Sequence, residues 1–275
     1  MTLIPDQPVN CPSCGKKFGG PFCAACGEKQ TSPKDYTLKK YSAQAVDMFT
    51  HFDGKFFTTI KYLLFYPGKL TEEYLAGRRV KLMKPIQLYL VINLLYFFLM
   101  KRVDVFITYL ELQIKNNQSL AKEVKLRADK VGITVSEYIE RFDALLPTTS
   151  KTFIFILIPL IAIGIWLFYF KRIRTFVPHL IFATHFFTFF LAFTLLFFEL
   201  IFRWFNPEAL TFNQKMIGVL SGVLVLTVYL FFALKREYKQ KILLTLVKTI
   251  ALMTWTLAMI GLYNQATTWI NLLRV

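Results

Sequence analysis

Long uninterrupted apolar blocks decide what this chain can fold into. Residues 152–170 (TFIFILIPLIAIGIWLFYF), 179–202 (HLIFATHFFTFFLAFTLLFFELIF), 216–234 (MIGVLSGVLVLTVYLFFAL) and 246–263 (LVKTIALMTWTLAMIGLY) stand out. Each approaches or exceeds the ~20 apolar residues that cross roughly 30 Å of hydrocarbon. A single soluble core cannot absorb four such blocks. A fifth, 85–107, opens with PIQLYLVINLLYFFLM and reaches span length if Lys101 and Arg102 snorkel to the headgroups. The chain has 275 residues, 55% hydrophobic and 18% charged, where a soluble domain carries about 25% charged residues. That balance excludes a disordered chain, a secreted disulfide scaffold and an ordinary soluble enzyme. The expected fold class is an all-α polytopic integral membrane protein with about five transmembrane helices and a small N-terminal zinc ribbon.

Charge placement orients the spans, because Lys and Arg in short loops stay on the cytoplasmic side. Lys171, Arg172 and Arg174 follow the second span, and Lys235, Arg236, Lys239 and Lys241 follow the fourth. The loop after the third span has Arg203 and Lys215 against Glu208, and the tail 264–275 has Arg274. Residues 1–84 carry 13 Lys/Arg against 7 Asp/Glu. The N-terminus is therefore expected in the cytoplasm and the C-terminus outside, with no cleavable signal peptide, since residues 1–10 have no apolar core. The net charge of +16 mostly flanks the spans. It points to anionic lipid headgroups rather than nucleic acid as a partner.

All four cysteines fall in Cys11-Pro-Ser-Cys14-Gly and Cys23-Ala-Ala-Cys26-Gly. Two C-x-x-C pairs grip a tetrahedral Zn²⁺ through four thiolates, a structural arrangement with no coordination position left for catalysis. Gly15 and Gly27 let the backbone turn back so that N–H groups face the sulfurs. The alternative, two disulfides, is disfavoured for a cytoplasmic terminus. The expectation is a zinc ribbon over residues 1–30 whose metal supplies much of its folding energy.

Beyond a linker at 31–33, Tyr41, Ala45, Phe49, Phe52, Phe56, Ile60 and Leu63 recur at helical spacing. This predicts amphipathic helices over 31–84, lying in the headgroup plane or packed on the bundle, with the first preferred. Pro67-Gly68 ends that helix, Thr71 is expected to cap the next with Glu72 and Glu73 behind it, and Gly77 stops it. Arg78, Arg79, Lys81 and Lys84, beside Tyr74, then crowd one membrane boundary before Pro85 opens a helix. Because Arg suits bidentate phosphate contact, these five residues are a candidate phosphate or lipid-headgroup site.

The paired cysteine knuckles, His51-Phe-Asp53-Gly, Tyr66-Pro67-Gly68 and Glu73-Tyr74-Leu75-Ala-Gly77-Arg78-Arg79, with Pro85 opening a hydrophobic helix, resemble one uncharacterised family. It is a group of bacterial membrane proteins grouped as a domain of unknown function with an N-terminal zinc ribbon. The resemblance covers about residues 11–100. It implies a bacterial inner-membrane location and no particular activity. Leu82 and Met83 stand where members often have an aromatic residue after the basic run.

Within the spans, Asn93, His185, Glu199 and Arg203 form a candidate intramembrane polar set, since unpaired ionisable groups are costly there. His185 and Glu199 lie about 40° apart around one helix but about 21 Å apart along it, so Glu199 is expected to pair with Arg203. His179 is expected among headgroups, and Asn93 and Lys248 reach His185 only by bundle packing. Pro159 and Gly164 are expected to kink the second span. Between the first two spans, 108–151 reads as an external helical hairpin. Gly132 stops one helix, and Thr134 with Glu137 starts another whose apolar stripe (Val135, Tyr138, Ile139, Phe142, Leu145, Leu146) ends at Pro147.

No G-x-S-x-G, H-E-x-x-H or glycine-rich phosphate loop is present. Three functional classes stay open. One is a non-enzymatic adaptor, assembly or regulatory protein whose ribbon binds a cytoplasmic partner. Another is a transporter, channel or lipid-handling protein with a polar site between helices. The last is an enzyme acting on a phosphate-bearing lipid. Neither enzymatic activity nor oligomeric state is fixed by these residues.

Overall fold

A computed structural model describes residues 9–30, 37, 55–99, 110–204 and 212–275. The N-terminal unit is a minimal ribbon in which β1 (Val9–Asn10) pairs antiparallel with β2 (Lys17–Phe18), Val9 opposite Phe18. Among the described residues the elements after it are helices: α1 (Lys55–Phe65), α2 (Lys69–Leu75), α3 (Pro85–Leu99), α4 (Leu110–Asn116), α5 (Gln118–Val131) and α6 (Val135–Phe153). A 3₁₀ turn (Ile154–Ile156) leads into α7 (Leu157–Tyr169), α8 (Phe176–Trp204), α9 (Phe212–Tyr238) and α10 (Ile242–Leu272).

Among the described residues three helices, Phe176–Phe197 within α8, Ile217–Tyr238 within α9 and α10 itself, are long and apolar enough to cross a membrane. A fourth crossing results if α6 and α7, bent by 48° at their junction, form one span. Helix α3 is shorter, and 100–109, where its continuation was expected, lie outside the described residues. So do 31–36 and 38–54, which hold the first half of the predicted amphipathic face, and the side chains of Glu199 and Arg203.

Helix α8 is the mast of the bundle. Its apolar window is 83% buried, against 28% for α9 and α10. Phe182, Phe186 and Phe187 are buried on α8, which packs against α3 and α7, whereas Leu243, Val247, Leu224 and Phe232 are exposed. A water-soluble protein rarely leaves such a continuous apolar surface open. Hydrocarbon accepts it. Between helices, the small β-branched hydroxyls satisfy themselves on their own backbone. Thr184, Thr188, Thr249 and Thr256 each donate to the carbonyl four residues earlier, so these four buried hydroxyls need no distant partner.

Several local expectations shift under packing. Helix α6 runs through Pro147 to Phe153, and the bend falls at the junction with Ile154 instead. Helix α7 continues through Pro159 and Gly164. Gly164 admits the Trp255 ring, which an added Cβ would meet at 2.5 Å, and Trp255 Nε1 donates to the Leu160 carbonyl at 2.9 Å. His179 is fully buried rather than among headgroups. Its Nε2 donates to the Ile173 carbonyl at 2.9 Å, and its ring stacks on Tyr238, whose hydroxyl lies 2.7 Å from Nδ1. Pro178 lies in the first turn of α8, and the segment before that helix supplies the Ile173 carbonyl that holds this imidazole.

The α1–α2 hairpin packs into the groove between α8 and α9. Tyr229 on α9 donates to the Leu63 carbonyl at 2.8 Å, and Arg236 donates to the Pro67 carbonyl at 3.0 Å. Gly68 caps α2 in the left-handed conformation (φ 75°) against the backbone of Ala233. Thr71, expected as that cap, is inside α2 and buried. At the opposite end of the bundle, α5 and α6 close over the end of α10. Tyr138 Oη and Arg127 Nη1 both donate to the Leu272 carbonyl at 2.9 Å, satisfying an orphan helix C-terminal group. Helix α5 is capped by Asn117 and stopped by Gly132 (φ 74°), and Thr134 accepts the Glu137 N–H at 3.2 Å. The Glu137 carboxylate pairs with Arg141.

Candidate functional site

The four cysteine sulfurs lie within 4.8 Å of one another. Cys11 and Cys26 sulfurs are 3.5 Å apart and those of Cys14 and Cys23 3.7 Å. All four are free thiols. A tetrahedral ion with metal–sulfur bonds of about 2.3 Å needs sulfurs about 3.8 Å apart, so the cluster has the size of a metal site. The turns that bring the sulfurs together need glycine: Gly15 and Gly27 have φ of 75° and 74°. Their own N–H groups close the knuckles on the Cys11 and Cys23 carbonyls at 2.9 and 2.8 Å, rather than serving the sulfurs. The N–H groups that face sulfur come from Ala25 and Cys26 toward Cys23, and from Glu28 toward Cys26.

Burial raises the Cys23 thiol, but those two N–H groups and the neighbouring thiols outweigh it and bring it down to about 7. The Glu28 N–H lowers Cys26, yet burial and the three other sulfurs push it up to about 12. Four thiolates at this spacing repel one another, and a divalent ion removes that repulsion.

One carboxylate joins the ribbon to the membrane part. Glu28, only 3% exposed, accepts the backbone N–H groups of Arg79 at 2.8 Å and Val80 at 3.0 Å on Oε2. The Ser13 hydroxyl, from the first knuckle, donates to the same oxygen at 2.6 Å. The Glu28 carbonyl also accepts the Cys23 N–H at 2.8 Å. A single residue therefore ties the second knuckle, the first knuckle and the α2–α3 turn. A buried carboxylate is costly unless its lone pairs are filled, and here three donors fill one oxygen. Composition and spacing carried no signal for this contact. Its trace is an acid directly after the second knuckle.

The basic run is held internally. Arg78 makes a two-pronged pair with Glu73, through Nε to Oε2 and Nη2 to Oε1, the latter at 3.0 Å. This keeps the Glu73 carboxyl below its ordinary value and Arg78 above its own. Arg79 donates through Nε to the Tyr74 carbonyl at 2.9 Å, with its guanidinium 4.3 Å over the Tyr74 ring. Tyr74 is buried, Lys81 exposed and Lys84 half-buried. The five candidate headgroup residues thus gather around one turn, with the two Arg serving as its internal staples.

Of the intramembrane candidates, the side chains of His185 and Asn93 are described. His185 shares a hydrogen bond with Thr71 at 2.9 Å and stands edge-on to Tyr74, while its Nε2 is buried without a partner. Asn93 is half-buried on α3. Lys248 donates to the Phe168 carbonyl at 2.8 Å and lies 4.1 Å over the Tyr169 ring, away from His185. The link from Arg79 through Tyr74 to His185 joins two of the predicted sets into one contiguous core.

No curated protein and no solved structure matches the chain. The family described as "Protein of unknown function (DUF3667)" matches residues 53–97. That stretch contains α1, the Pro67-Gly68 turn, α2, the Arg78-Arg79 turn and most of α3, and it stops short of the cysteines. Over those residues the chain is similar to that family.

Proposed function

We propose that this is a membrane-anchored adaptor, with five spans in a bacterial inner membrane, the N-terminus in the cytoplasm and the C-terminus outside. Its ribbon holds a structural Zn²⁺ on Cys11, Cys14, Cys23 and Cys26 and presents its outer face to a cytoplasmic protein. The carrying observation is the asymmetry of the ribbon. The ribbon is fastened to the bundle through buried Glu28, while Lys16, Lys17 and Phe22 stay exposed, Phe22 by 59%. Lysines around an aromatic side chain suit an acidic surface with an apolar pocket. Four thiolates complete a tetrahedron, which supports a structural ion rather than a catalytic one.

The orientation is supported by the clustering of Arg78, Arg236 and Lys239 about the α1–α2 hairpin, where Arg236 and Lys239 each lie 3.9 Å from Glu72. A transport reading draws less support, because it needs a polar cavity around His185, which is walled by Tyr74 and neighbours such as Phe186. An enzymatic reading at Arg78 and Arg79 draws less as well, since both guanidinium groups brace the turn itself.

The test is a photo-crosslinking amino acid at position 22 in cells. The expected result is a defined protein adduct that disappears in Cys14→Ser while membrane insertion persists. An adduct pattern unchanged by Cys14→Ser, or no adduct at all, removes the adaptor reading.

A further inference from the structure

The α2–α3 turn has a second capacity beyond fastening the ribbon. From Gly77 to Lys84 it carries four cations, Arg78, Arg79, Lys81 and Lys84, and no acid. Within it the successive N–H groups of Arg79 and Val80 converge on one point, reached by Glu28 Oε2 at 2.8 and 3.0 Å. Two adjacent amides aimed at one anion form a nest, the backbone device that holds phosphate oxygens in many proteins. The turn is stiff before anything binds. Gly77 has φ 83°, Arg78 is fixed by Glu73, and Arg79 is fixed by the carbonyl and ring of Tyr74. Its anion comes from 51 positions away in the sequence, on a small unit built around the four-cysteine cluster.

We propose that the Arg79–Val80 turn is a phosphate-binding cradle that the folded ribbon closes with its own Glu28 carboxylate. While the ribbon is intact, the carboxylate competes as an internal ligand at very high effective concentration. When the ribbon lets go, the same two amides and the surrounding cations accept a phosphate group, from a lipid headgroup at the membrane surface or from a soluble phosphate. The chemistry recognised is identical in the two cases. This inference does not depend on a protein partner for the ribbon's outer face.

The experiment uses the full chain in nanodiscs, with metal content measured for every sample. Hydrogen exchange is read on the peptide covering 77–84, with inorganic phosphate titrated in phosphatidylcholine discs and, separately, in discs containing phosphatidylglycerol. In the metal-loaded wild type the peptide exchanges slowly and does not respond to either anion. In Glu28→Ala with metal still bound, exchange accelerates about tenfold, the change expected for loss of about 1.4 kcal/mol of protection. Protection then returns on addition of phosphate, which assigns a soluble ligand, or in phosphatidylglycerol discs, which assigns a headgroup. If Glu28→Ala keeps its metal and neither anion restores protection, the cradle is refuted. Should that variant not fold, Ser13→Ala removes one of the three donors to Glu28 and is expected to give the same response at smaller amplitude. Its failure to respond refutes the cradle equally. Neither readout involves position 22, so the outcome is separate from that of the crosslink.

Discussion

Gly68 and Ala233 touch backbone to backbone: a Cβ built on Gly68 would stand 2.8 Å from both the Cα and the carbonyl oxygen of Ala233. This contact seats the α1–α2 hairpin on α9. Gly68 also has φ 75°, so a side chain there meets conformational strain and a collision together. Gly132 has nearly the same φ, 74°, with nothing within 4 Å.

The two glycines therefore separate strain from packing. Gly132→Ala is expected to cost about 1 kcal/mol, the left-handed penalty alone. Gly68→Ala is expected to cost about 2–4 kcal/mol, because overpacking adds to it. Thermal unfolding of both variants in detergent checks this, and equal losses would show that the hairpin does not sit on Ala233.

Removing the partner of the buried imidazole tests the junction of α2 with α8. Thr71→Val keeps the shape of the side chain and leaves His185 Nδ1 without its hydrogen bond. Since Nε2 already has no partner, a loss of about 1–3 kcal/mol is expected. Urea or thermal unfolding measures it, and a neutral result would mean the contact contributes nothing.

Acid should loosen the α2–α3 turn. Arg78 holds the Glu73 carboxyl below its ordinary 4.5, so the pair's stabilisation is complete above about pH 4.5 and is lost as pH falls through the lower value of the folded state. Melting temperatures of the wild type are expected to drop faster below that point than those of Glu73→Gln. Parallel curves for the two proteins would contradict the assignment.

Chelation is expected to act on one end of the molecule only. With its ion removed, the ribbon has a core of little more than Phe18, Val9 and the cysteines themselves, too small to hold a fold unaided. Trypsin should then cut at Lys16, Lys17 and Lys29 while helical circular dichroism stays constant. One ion per chain, lost in Cys11→Ser, completes the expectation. Cobalt in its place should give the visible absorption of a tetrahedral thiolate site.

Local grammar was readable in advance. The cysteine spacing marked a metal-sized cluster because each C-x-x-C pair sets its own sulfurs by a short knuckle turn. Pro85 opening α3, Gly132 closing α5 and Thr134 capping the next helix follow from backbone chemistry confined to a few residues. Errors arose where a neighbouring helix intervened. Gly164 gives no local sign that its missing side chain makes room for the Trp255 ring. Thr71 reads as a cap until its hydroxyl is taken by His185, and His179 reads as a headgroup residue until Tyr238 covers it.

The sequence by itself determined that this chain carries bilayer-length apolar helices and a tip built around four thiols, because hydrophobic block length and ligand spacing are properties of contiguous residues. Only the tertiary structure decided that Glu28 meets Arg79 and Val80, that Gly68 meets Ala233 and that Thr71 meets His185. Such pairings join residues far apart in the chain. They exist only once packing has fixed which face of each helix points at which neighbour, and no local pattern of residues encodes that choice.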